Sequence, residues 1–131
     1  MTRYLADTYA FIEGFTGHGR YGRILKSGKV VTTALNVLEL HYSLLRRRVA
    51  PEEAERIARA TLRCVVEVPA EVALAAATTR LAINGRLLAA GSEKRASYID
   101  SWGYEAARAL GLRFLTGDTV FKGLPDVEFV T

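Results

Sequence analysis

The fold is indicated first by the stretch Arg113-Phe114-Leu115-Thr116-Gly117-Asp118, in which a short apolar run ends in a turn and an acid. The chain opens in the same way, because the run Arg3–Ala6 is followed directly by Asp7. Continuous apolar runs of this kind are typical of strands that are covered on both faces. Ligands of open parallel sheets bind beyond the carboxyl ends of the strands. We therefore expect Asp7 and Asp118 to face one crevice.

Five runs in all have strand character, and helical patterns lie between them. The runs are Arg3–Ala6, Lys29–Thr32, Cys64–Val68, Arg113–Leu115 and Val127–Val130. This alternation predicts an α/β fold, a three-layer α/β/α sandwich with a mostly parallel five-stranded sheet. The chain has 131 residues, 50% of them hydrophobic, and shows no repeat or linker. A single domain over residues 1–131 is therefore predicted.

Four helices are predicted from start and stop signals. They begin near Thr33, at Pro51, near Ala70 and at Ser101. In the first, apolar residues recur at helical spacing, namely Leu35, Leu38, Tyr42 and Leu45. The third is rich in alanine, and its Asn84-Gly85 pair leaves open whether the helix ends there. The fourth is expected to cover Ser101–Leu110, with Gly111 as a left-handed C-cap.

Two of these helices carry further acids toward the same edge of the sheet. Asp100 lies at the start of the fourth helix, and Glu39 lies two turns into the first. Two unit charges about 4 Å apart repel by about 1 kcal/mol in water and about 4 kcal/mol at an effective dielectric near 20. No Lys or Arg stands immediately at the two strand ends to neutralise them. Because carboxylate oxygens suit hard divalent cations, the pattern predicts Mg²⁺ or Mn²⁺.

Each acid also has an interpretation that needs no metal. Asp7 and Asp100 could cap the helices that follow them, Asp118 could be a turn residue, and Glu39 could be a solvated helix position. For any one residue these alternatives stay open. The convergence of all four on one edge of the sheet is what favours a site.

The four acids lie in motifs that resemble those of the PIN-domain nucleases, and among these the VapC-type toxins of toxin–antitoxin pairs. The stretches are Tyr4-Leu5-Ala6-Asp7-Thr8, residues 33–40 around Glu39, Tyr98-Ile99-Asp100 with Ala106-Ala107, and Phe114-Leu115-Thr116-Gly117-Asp118. The motifs follow the family's order along essentially the whole chain. Two positions depart from the family pattern: Tyr9 stands where a small residue is common, and Trp102 interrupts a run that is usually small or aliphatic.

The resemblance implies a nuclease that cleaves RNA phosphodiester bonds with Mg²⁺ or Mn²⁺. Asp7, Glu39 and Asp100 would be the principal metal ligands, and Asp118 would bind a second metal directly or through water. Thr8 and Thr116 would hydrogen-bond the carboxylates or a bound water.

The resemblance also implies protein partners, namely a VapB-type antitoxin and a second copy of the chain in a homodimer. The apolar region formed by Cys64–Val68 and the helix from Pro51 is the predicted dimer interface. For RNA, Lys94 and Arg95 are candidate backbone contacts because they precede Asp100 closely, and Tyr9 and Tyr98 are candidate stacking platforms. The net charge of +4 and the pI of about 9.5 are compatible with a polyanionic partner.

The sequence predicts a cytoplasmic protein. Asp7 and Glu13 interrupt any apolar stretch that could serve as a signal peptide, and no uncharged run is long enough to span a bilayer. The single cysteine, Cys64, excludes an intrachain disulfide and is interpreted as a small core residue in a reducing compartment.

Two other function classes compete with the nuclease. A non-catalytic phospho-acceptor signalling module also gathers acids and Mg²⁺, but it needs an acid after its central strand and a Lys after a late one, whereas the middle run Cys64–Val68 ends in Pro69. A nucleotide-binding or oxidoreductase domain would depend on the glycine pattern of residues 17–22. The helical stretch Thr8–Phe15 separates that pattern from the first strand, so a loop between two short helices is predicted there. His18 and His41 have no ligand-spaced partner.

Overall fold

The computed structural model describes residues 3–17 and 19–130. Its elements, in chain order, are β1 (Tyr4–Ala6), α1 (Thr8–Phe15), α2 (Gly19–Lys26), β2 (Val30–Val31), α3 (Ala34–Arg46), α4 (Pro51–Leu62), α5 (Val72–Ala89), α6 (Tyr98–Ala109), β3 (Arg113–Thr116), a 3₁₀ turn (Thr119–Phe121) and β4 (Val127–Phe129). Across these described ranges, no helix is both long enough and apolar enough to cross a membrane.

The strands form a parallel sheet in the order β2-β1-β3-β4. Neighbouring residues of the central strands point to opposite faces, and different helices cover the two faces. Leu5 and Phe114 belong to an apolar cluster with residues of α5 and α6. Ala6 and Leu115 belong to a second cluster with residues of α1 to α4. The sheet therefore lies between two helical layers, which confirms the predicted three-layer architecture.

Within the described residues the sheet has four strands rather than the predicted five. The segment Cys64–Val68 makes a single bridge, between Val65 and Thr32 at the edge beside β2. The reason is local, because the amides of Cys64 and Val65 donate to carbonyls at the end of α4. The carbonyl of Cys64 and the amide of Val66 are left to pair with Thr32. The predicted strand is thus reduced to one point of contact.

Helix α3 begins where predicted, but it turns a different face to the core. Thr33 caps it by accepting a hydrogen bond from the amide of Asn36. The stripe that marked the helix in the sequence is largely exposed: Leu35, Leu38, Tyr42 and Leu45. The residues that α3 buries are Asn36, Val37, Leu40 and Leu44.

Helix α5 continues through Asn84-Gly85, which answers the question that this pair left open. The Asn84 amide group donates to the carbonyl of Ala96 at 3.3 Å and accepts from its amide at 2.8 Å. The side chain therefore holds the following loop instead of ending the helix. Gly85 faces open space, so it lowers the stability of the helix only through its poor helix propensity, about 1 kcal/mol relative to Ala.

Helix α6 begins at Tyr98, three residues before the predicted start, because Ser97 caps it. A serine followed three residues later by an acid is a known signal for the start of a helix, so the start of α6 at Tyr98 could have been predicted from the sequence. At the other end, Gly111 has φ +70°, the predicted left-handed conformation.

The glycine pattern of residues 17–22 is not the predicted loop. Helix α2 already begins at Gly19 and includes Tyr21 and Gly22, while His18 lies outside the described residues. Helix α1 separates the pattern from β1, so the glycines do not form a phosphate-binding turn after a strand.

Cys64 is half-buried and borders a hollow of about 470 Å³ between α1, α4 and the β2 edge. The prediction that it is a core residue is therefore wrong. Its position follows from the early end of α4, which leaves Cys64 at the rim of the sheet.

Candidate active site

The centre of the candidate site is the buried carboxyl of Asp7. β1 ends at Ala6, and the amide of Asp7 continues the ladder by donating to Leu115 of β3 at 3.1 Å. One carboxyl oxygen caps α1 by accepting from the amide of Ala10 at 2.8 Å, and the other accepts from the Thr116 hydroxyl. The side chain is only 1% exposed. Asp7 is thus both a helix cap and a carboxyl that points to the end of β3.

The end of β3 connects Asp7 to Asp118. The Thr116 hydroxyl donates to Asp7 and accepts from the Asp118 amide at 3.0 Å. The Asp118 carboxyl in turn caps the 3₁₀ turn by accepting from Val120 at 3.1 Å. Gly117 leaves no room for a side chain, since a Cβ there would lie 2.8 Å from the Val130 carbonyl oxygen.

Asp100 and Glu39 approach the same edge from α6 and α3. Asp100 lies in the first turn of α6, and its amide donates to the Ser97 hydroxyl at 3.0 Å. Glu39 lies on α3 and is half-buried. The sequence interpretation of Asp100 as a helix cap is wrong, because Ser97 occupies that position. The Asp100 carboxyl is left facing the cluster at the positive end of the helix.

Electrostatics join the four acids into one group. The pKa of Asp7 is raised to about 8, chiefly by burial; the charges of Asp100 and Asp118 add to the increase, and its two hydrogen bonds partly offset it. Burial also raises the pKa of Asp100, with added contributions from Glu39 and Asp118. In the described part of the chain none of these carboxyls forms an ion pair. Negative charge in this pocket is therefore destabilising unless a proton or a cation compensates for it.

The donor set fits a hard divalent cation in a water-rich coordination shell. Among residues 3–17 and 19–130, no group of three or more His, Cys, Asp or Glu side chains is arranged to hold a metal ion as it stands. Mg²⁺ usually keeps several waters and takes one or two protein carboxylates together with substrate phosphates. Asp7, with Asp100 or Asp118, offers such a pair of oxygen ligands within mutual electrostatic range.

The Thr8 hydroxyl bonds Asn36 on the neighbouring helix α3. It donates to the Asn36 carbonyl at 3.4 Å and accepts from the Asn36 amide group at 3.5 Å, so it does not bond a carboxyl. Asn36 also accepts from the Thr33 hydroxyl at 2.7 Å and is buried. This network sets the rotation of α3 and hence the position of Glu39 one turn later. Sequence reasoning missed Asn36, because a lone asparagine in a helix gives no signal until its partners are known.

The two candidate basic contacts differ in their surroundings. The Lys94 ammonium donates to the hydroxyl of Thr119, the residue after Asp118, and so lies beside the acidic cluster. The Arg95 guanidinium donates instead to the carbonyls of Ser92 and Lys94 in its own loop. Both side chains are exposed.

The two candidate stacking residues, Tyr9 and Tyr98, also differ in their surroundings. Tyr9 is partly exposed beside the cluster, where burial and the charges of Glu13, Asp7 and Asp118 raise its pKa. Tyr98 is 76% exposed, but the Arg80 guanidinium covers one ring face at 4.1 Å. Trp102 is half-buried and packs against the core cluster of α5 and α6.

A family model of the PIN domain matches residues 4–127. The chain belongs to the PIN domain family. No curated protein matches it in sequence. The strand order puts Asp7 and Asp118 after the central strands β1 and β3, and it leaves the middle run Cys64–Val68 with a single bridge at the edge of the sheet. It also removes the basis for a phospho-acceptor module, since β3 ends in Thr116-Gly117-Asp118 without a lysine.

Solved structures of the same PIN fold are similar over almost their whole length. One is a toxin–antitoxin complex from Klebsiella pneumoniae, 17% identical, with a TM-score of 0.71 and coverage of 98% of this chain and 96% of that chain. VapBC2 from Rickettsia felis, bound to a promoter DNA fragment, is 15% identical with a TM-score of 0.68 and covers 98% of both chains. Mycobacterium tuberculosis VapC20, a toxin that cleaves the sarcin-ricin loop, is 24% identical with a TM-score of 0.62 and coverage of 95% and 98%. These similarities support the fold.

The raised carboxyl pKa values predict that the metal-free PIN protein becomes less stable as the pH rises. Between pH 3.8 and about 8, Asp7 is protonated in the folded chain and ionised in the unfolded chain. Folding then takes up a proton, so the stability contribution is complete below pH 3.8 and is lost by about pH 8. The slope is at most about 1.4 kcal/mol per pH unit. Urea unfolding in EDTA from pH 5 to pH 9 measures it, and stability that rises across this range contradicts the prediction.

Proposed function

We propose that this PIN-domain protein is a metal-dependent endoribonuclease and the toxin of a VapBC-type toxin–antitoxin pair. The observation that carries the proposal is the electrostatic interaction of Asp7, Glu39, Asp100 and Asp118 near the carboxyl ends of the central strands, where none of the four forms an ion pair within the described residues. Membership of the PIN family supports nuclease chemistry. The toxin–antitoxin complexes among the similar structures support an antitoxin partner.

The proposed chemistry assigns a task to each part of the site. Asp7, Glu39 and Asp100 would hold Mg²⁺ or Mn²⁺, directly or through coordinated water, and Asp118 would contribute to a second ion directly or through water. When bound, the cations would supply charge neutralisation at the scissile phosphate and would make a coordinated water more acidic. Thr116 keeps Asp7 and Asp118 at a fixed separation through its two hydrogen bonds. Lys94 binds the RNA backbone beside Asp118, and Tyr9 offers a ring face to a base.

Cleavage of single-stranded RNA by the purified protein is expected with Mn²⁺ and is expected to disappear with excess EDTA. The physical reason is that the carboxyl cluster cannot carry an additional phosphate charge without a cation. Gel analysis of a labelled RNA measures the cleavage, and restoration by Mn²⁺ or Mg²⁺ after chelation is the control. Cleavage that continues at full rate in EDTA would show that the proposed site is not responsible.

Lys94→Ala is expected to weaken RNA binding more than Arg95→Ala does. A phosphate contact made by Lys94 releases counterions, so its loss should reduce the slope of log affinity against log salt by about 1. Arg95 is the matched control because local carbonyls already occupy its guanidinium. Fluorescence anisotropy with a labelled RNA at several salt concentrations measures both variants. Equal effects would contradict the assignment.

The proposed biological setting is the cytoplasm, where RNA and an antitoxin are both present, and the proposed assembly of the toxin is a homodimer. The interface predicted from the sequence lies around α4 and Cys64–Val68. That surface includes the hollow lined by Phe11, Phe15 and Val65.

A further inference from the structure

The face of α3 that carries Glu39 continues beyond the acidic cluster toward the end of the helix. Glu39 is close enough to Asp100 for their charges to interact, so this face is turned toward the candidate site. Residues three, four and seven positions later share a helix face with Glu39, and these are Tyr42, Ser43 and Arg46. Arg46 lies about 10 Å further along the helix axis, at 1.5 Å per residue. One helix face therefore leads from the cluster to the basic end of α3.

The end of α3 is strongly positive and has no compensating acid. Arg46, Arg47 and Arg48 follow one another there with exposed side chains, and none forms an ion pair with another described residue. By contrast, the exposed arginines of the neighbouring α4, Arg56 and Arg59, are each paired with a glutamate. A guanidinium without an acidic partner is available to bind a phosphate through two parallel hydrogen bonds.

The backbone at this end of α3 indicates that the charges are not incidental. Arg48 has φ +63°, the left-handed conformation that glycine or asparagine usually provides after a helix. A basic residue in the last turn complements the helix dipole, and Arg46 already stands there. The dipole therefore does not account for two further arginines, one of them in a conformation that disfavours it. A bound anion does account for them.

A hollow of about 310 Å³ lies in this surface, lined by Tyr42, Ser43, Arg46 and Arg47. Tyr42 is 59% exposed, and the guanidinium carbon of Arg46 lies 5.8 Å from the centre of its ring. Aromatic rings and guanidinium planes stack on nucleobases of any sequence, while basic groups beside them bind the backbone phosphates. The hollow thus offers both kinds of contact that a single-stranded nucleic acid makes.

The distance from Glu39 fits a polynucleotide that passes through the candidate site. Stacked nucleotides rise about 3.4 Å each, so about 10 Å corresponds to about three nucleotides. Lys94 lies beside Asp118, whereas Tyr42 and Arg46 continue from Glu39, so the basic groups adjoin different members of the acidic cluster. A strand whose phosphate lies at the cluster can therefore contact basic groups at more than one point.

We propose that Tyr42, Arg46 and Arg47 form a subsite for single-stranded RNA about three nucleotides from the phosphate at the acidic cluster. The two arginines bind backbone phosphates, and the Tyr42 ring stacks on a base. The inference rests on the ribonuclease proposed above and adds a substrate contact to it. Its test measures RNA binding in EDTA, where no cleavage is expected, so the subsite can fail while the nuclease proposal stands.

The double variant Arg46→Ala/Arg47→Ala is expected to bind a labelled single-stranded RNA at least about tenfold more weakly than the wild type. Each lost phosphate contact should reduce the slope of log affinity against log salt by about 0.7, so the pair should reduce it by about 1.4. Arg56→Ala/Arg59→Ala is the matched control, because it removes the same charge from arginines that are already paired. Its slope should stay near that of the wild type. Fluorescence anisotropy in EDTA at several salt concentrations measures all three proteins.

Equal slopes for the two double variants, or a wild-type protein that does not bind the RNA, would overturn the subsite. Circular dichroism checks that the substitutions, all at exposed positions, leave the fold intact.

Tyr42→Ala tests the stacking contact separately from charge. It is expected to weaken RNA binding about 5- to 100-fold, the usual contribution of one stacked base. Tyr42→Phe keeps the ring and should bind as the wild type does. If Tyr42→Ala bound RNA normally while a poly-glutamate peptide bound the wild type tightly, the ligand of the arginines would be an acidic protein segment. That result would overturn the proposal.

Discussion

Asp7→Asn is expected to lower RNA cleavage more than about 100-fold, beyond the 10- to 100-fold loss typical of residues that only support a ligand. The substitution keeps the shape of the side chain. An amide oxygen can still accept from Ala10, and the amide nitrogen can donate to the Thr116 hydroxyl in place of the present bond. The change therefore removes charge from the pocket while it retains the cap of α1.

The same variant is expected to melt at a higher temperature than the wild type at pH 8 in EDTA. Burial of Asp7 raises its carboxyl pKa to about 8, so ionisation at this pH destabilises the folded chain. An amide does not ionise, and the gain should disappear near pH 4, where the wild-type carboxyl is protonated. Differential scanning fluorimetry at both pH values measures it. With Mn²⁺ present, only the wild type should be stabilised, because the cation binds the folded state.

Asp126→Asn is the matched control, since Asp126 is the one aspartate of the sequence outside the cluster. It is exposed, has φ +62° and pairs with Arg108 at 3.3 Å. Asparagine tolerates the left-handed conformation, and an exposed ion pair contributes little. Both cleavage and melting should stay near wild type. If Asp7→Asn retained activity, or melted lower at pH 8, Asp7 would be a helix cap without a metal role.

Gly117→Ala is expected to destabilise the protein by about 1–3 kcal/mol and to lower cleavage at least tenfold. The reason is space. An added Cβ would lie 2.8 Å from the Val130 carbonyl oxygen and closer still to the Tyr9 ring and the Tyr21 hydroxyl. The backbone must shift to accept it, and that shift moves Asp118, the next residue. Urea unfolding and RNA cleavage measure the two effects.

Gly22→Ala is the control for the loss of a glycine. Its Cβ would meet nothing nearer than the Gly14 carbonyl at 4.0 Å, and it lies inside α2. Alanine there should stabilise by about 0.5–1 kcal/mol through helix propensity. If both glycine variants behaved alike, the close packing around Gly117 would not control the position of Asp118.

Several parts of the fold follow from the sequence because their causes are local. The apolar runs at Tyr4–Ala6 and Arg113–Thr116 form the central strands. Pro51 starts α4, and Gly111 ends α6 in the left-handed conformation. Each signal acts within a few residues, through a fixed φ, a missing amide or the absence of a Cβ.

Two features of the fold depend on contacts between residues that are distant in the sequence: the face that α3 buries and the loss of the strand predicted at Cys64–Val68. The apolar stripe of α3 was evident in the sequence, yet Asn36 turned it outward through its bonds to Thr8 and Thr33. Likewise, Cys64–Val68 has the composition of a strand. The amides of Cys64 and Val65 donate to carbonyls at the end of α4, however, and so are not available to a strand ladder.

For the candidate site, the residue pattern predicts which acids follow the central strands and that, if they meet, they need a compensating charge. The folded chain is needed to show that Asp7 is fully buried and that Thr116 connects it to Asp118. It also shows that Ser97 caps α6, so the Asp100 carboxyl is not used as the cap. The physical reason is that burial and hydrogen-bond geometry depend on the packing of segments up to 109 residues apart along the chain. The residue type determines which groups can carry a charge, whereas burial and neighbouring groups determine the free energy of ionising them.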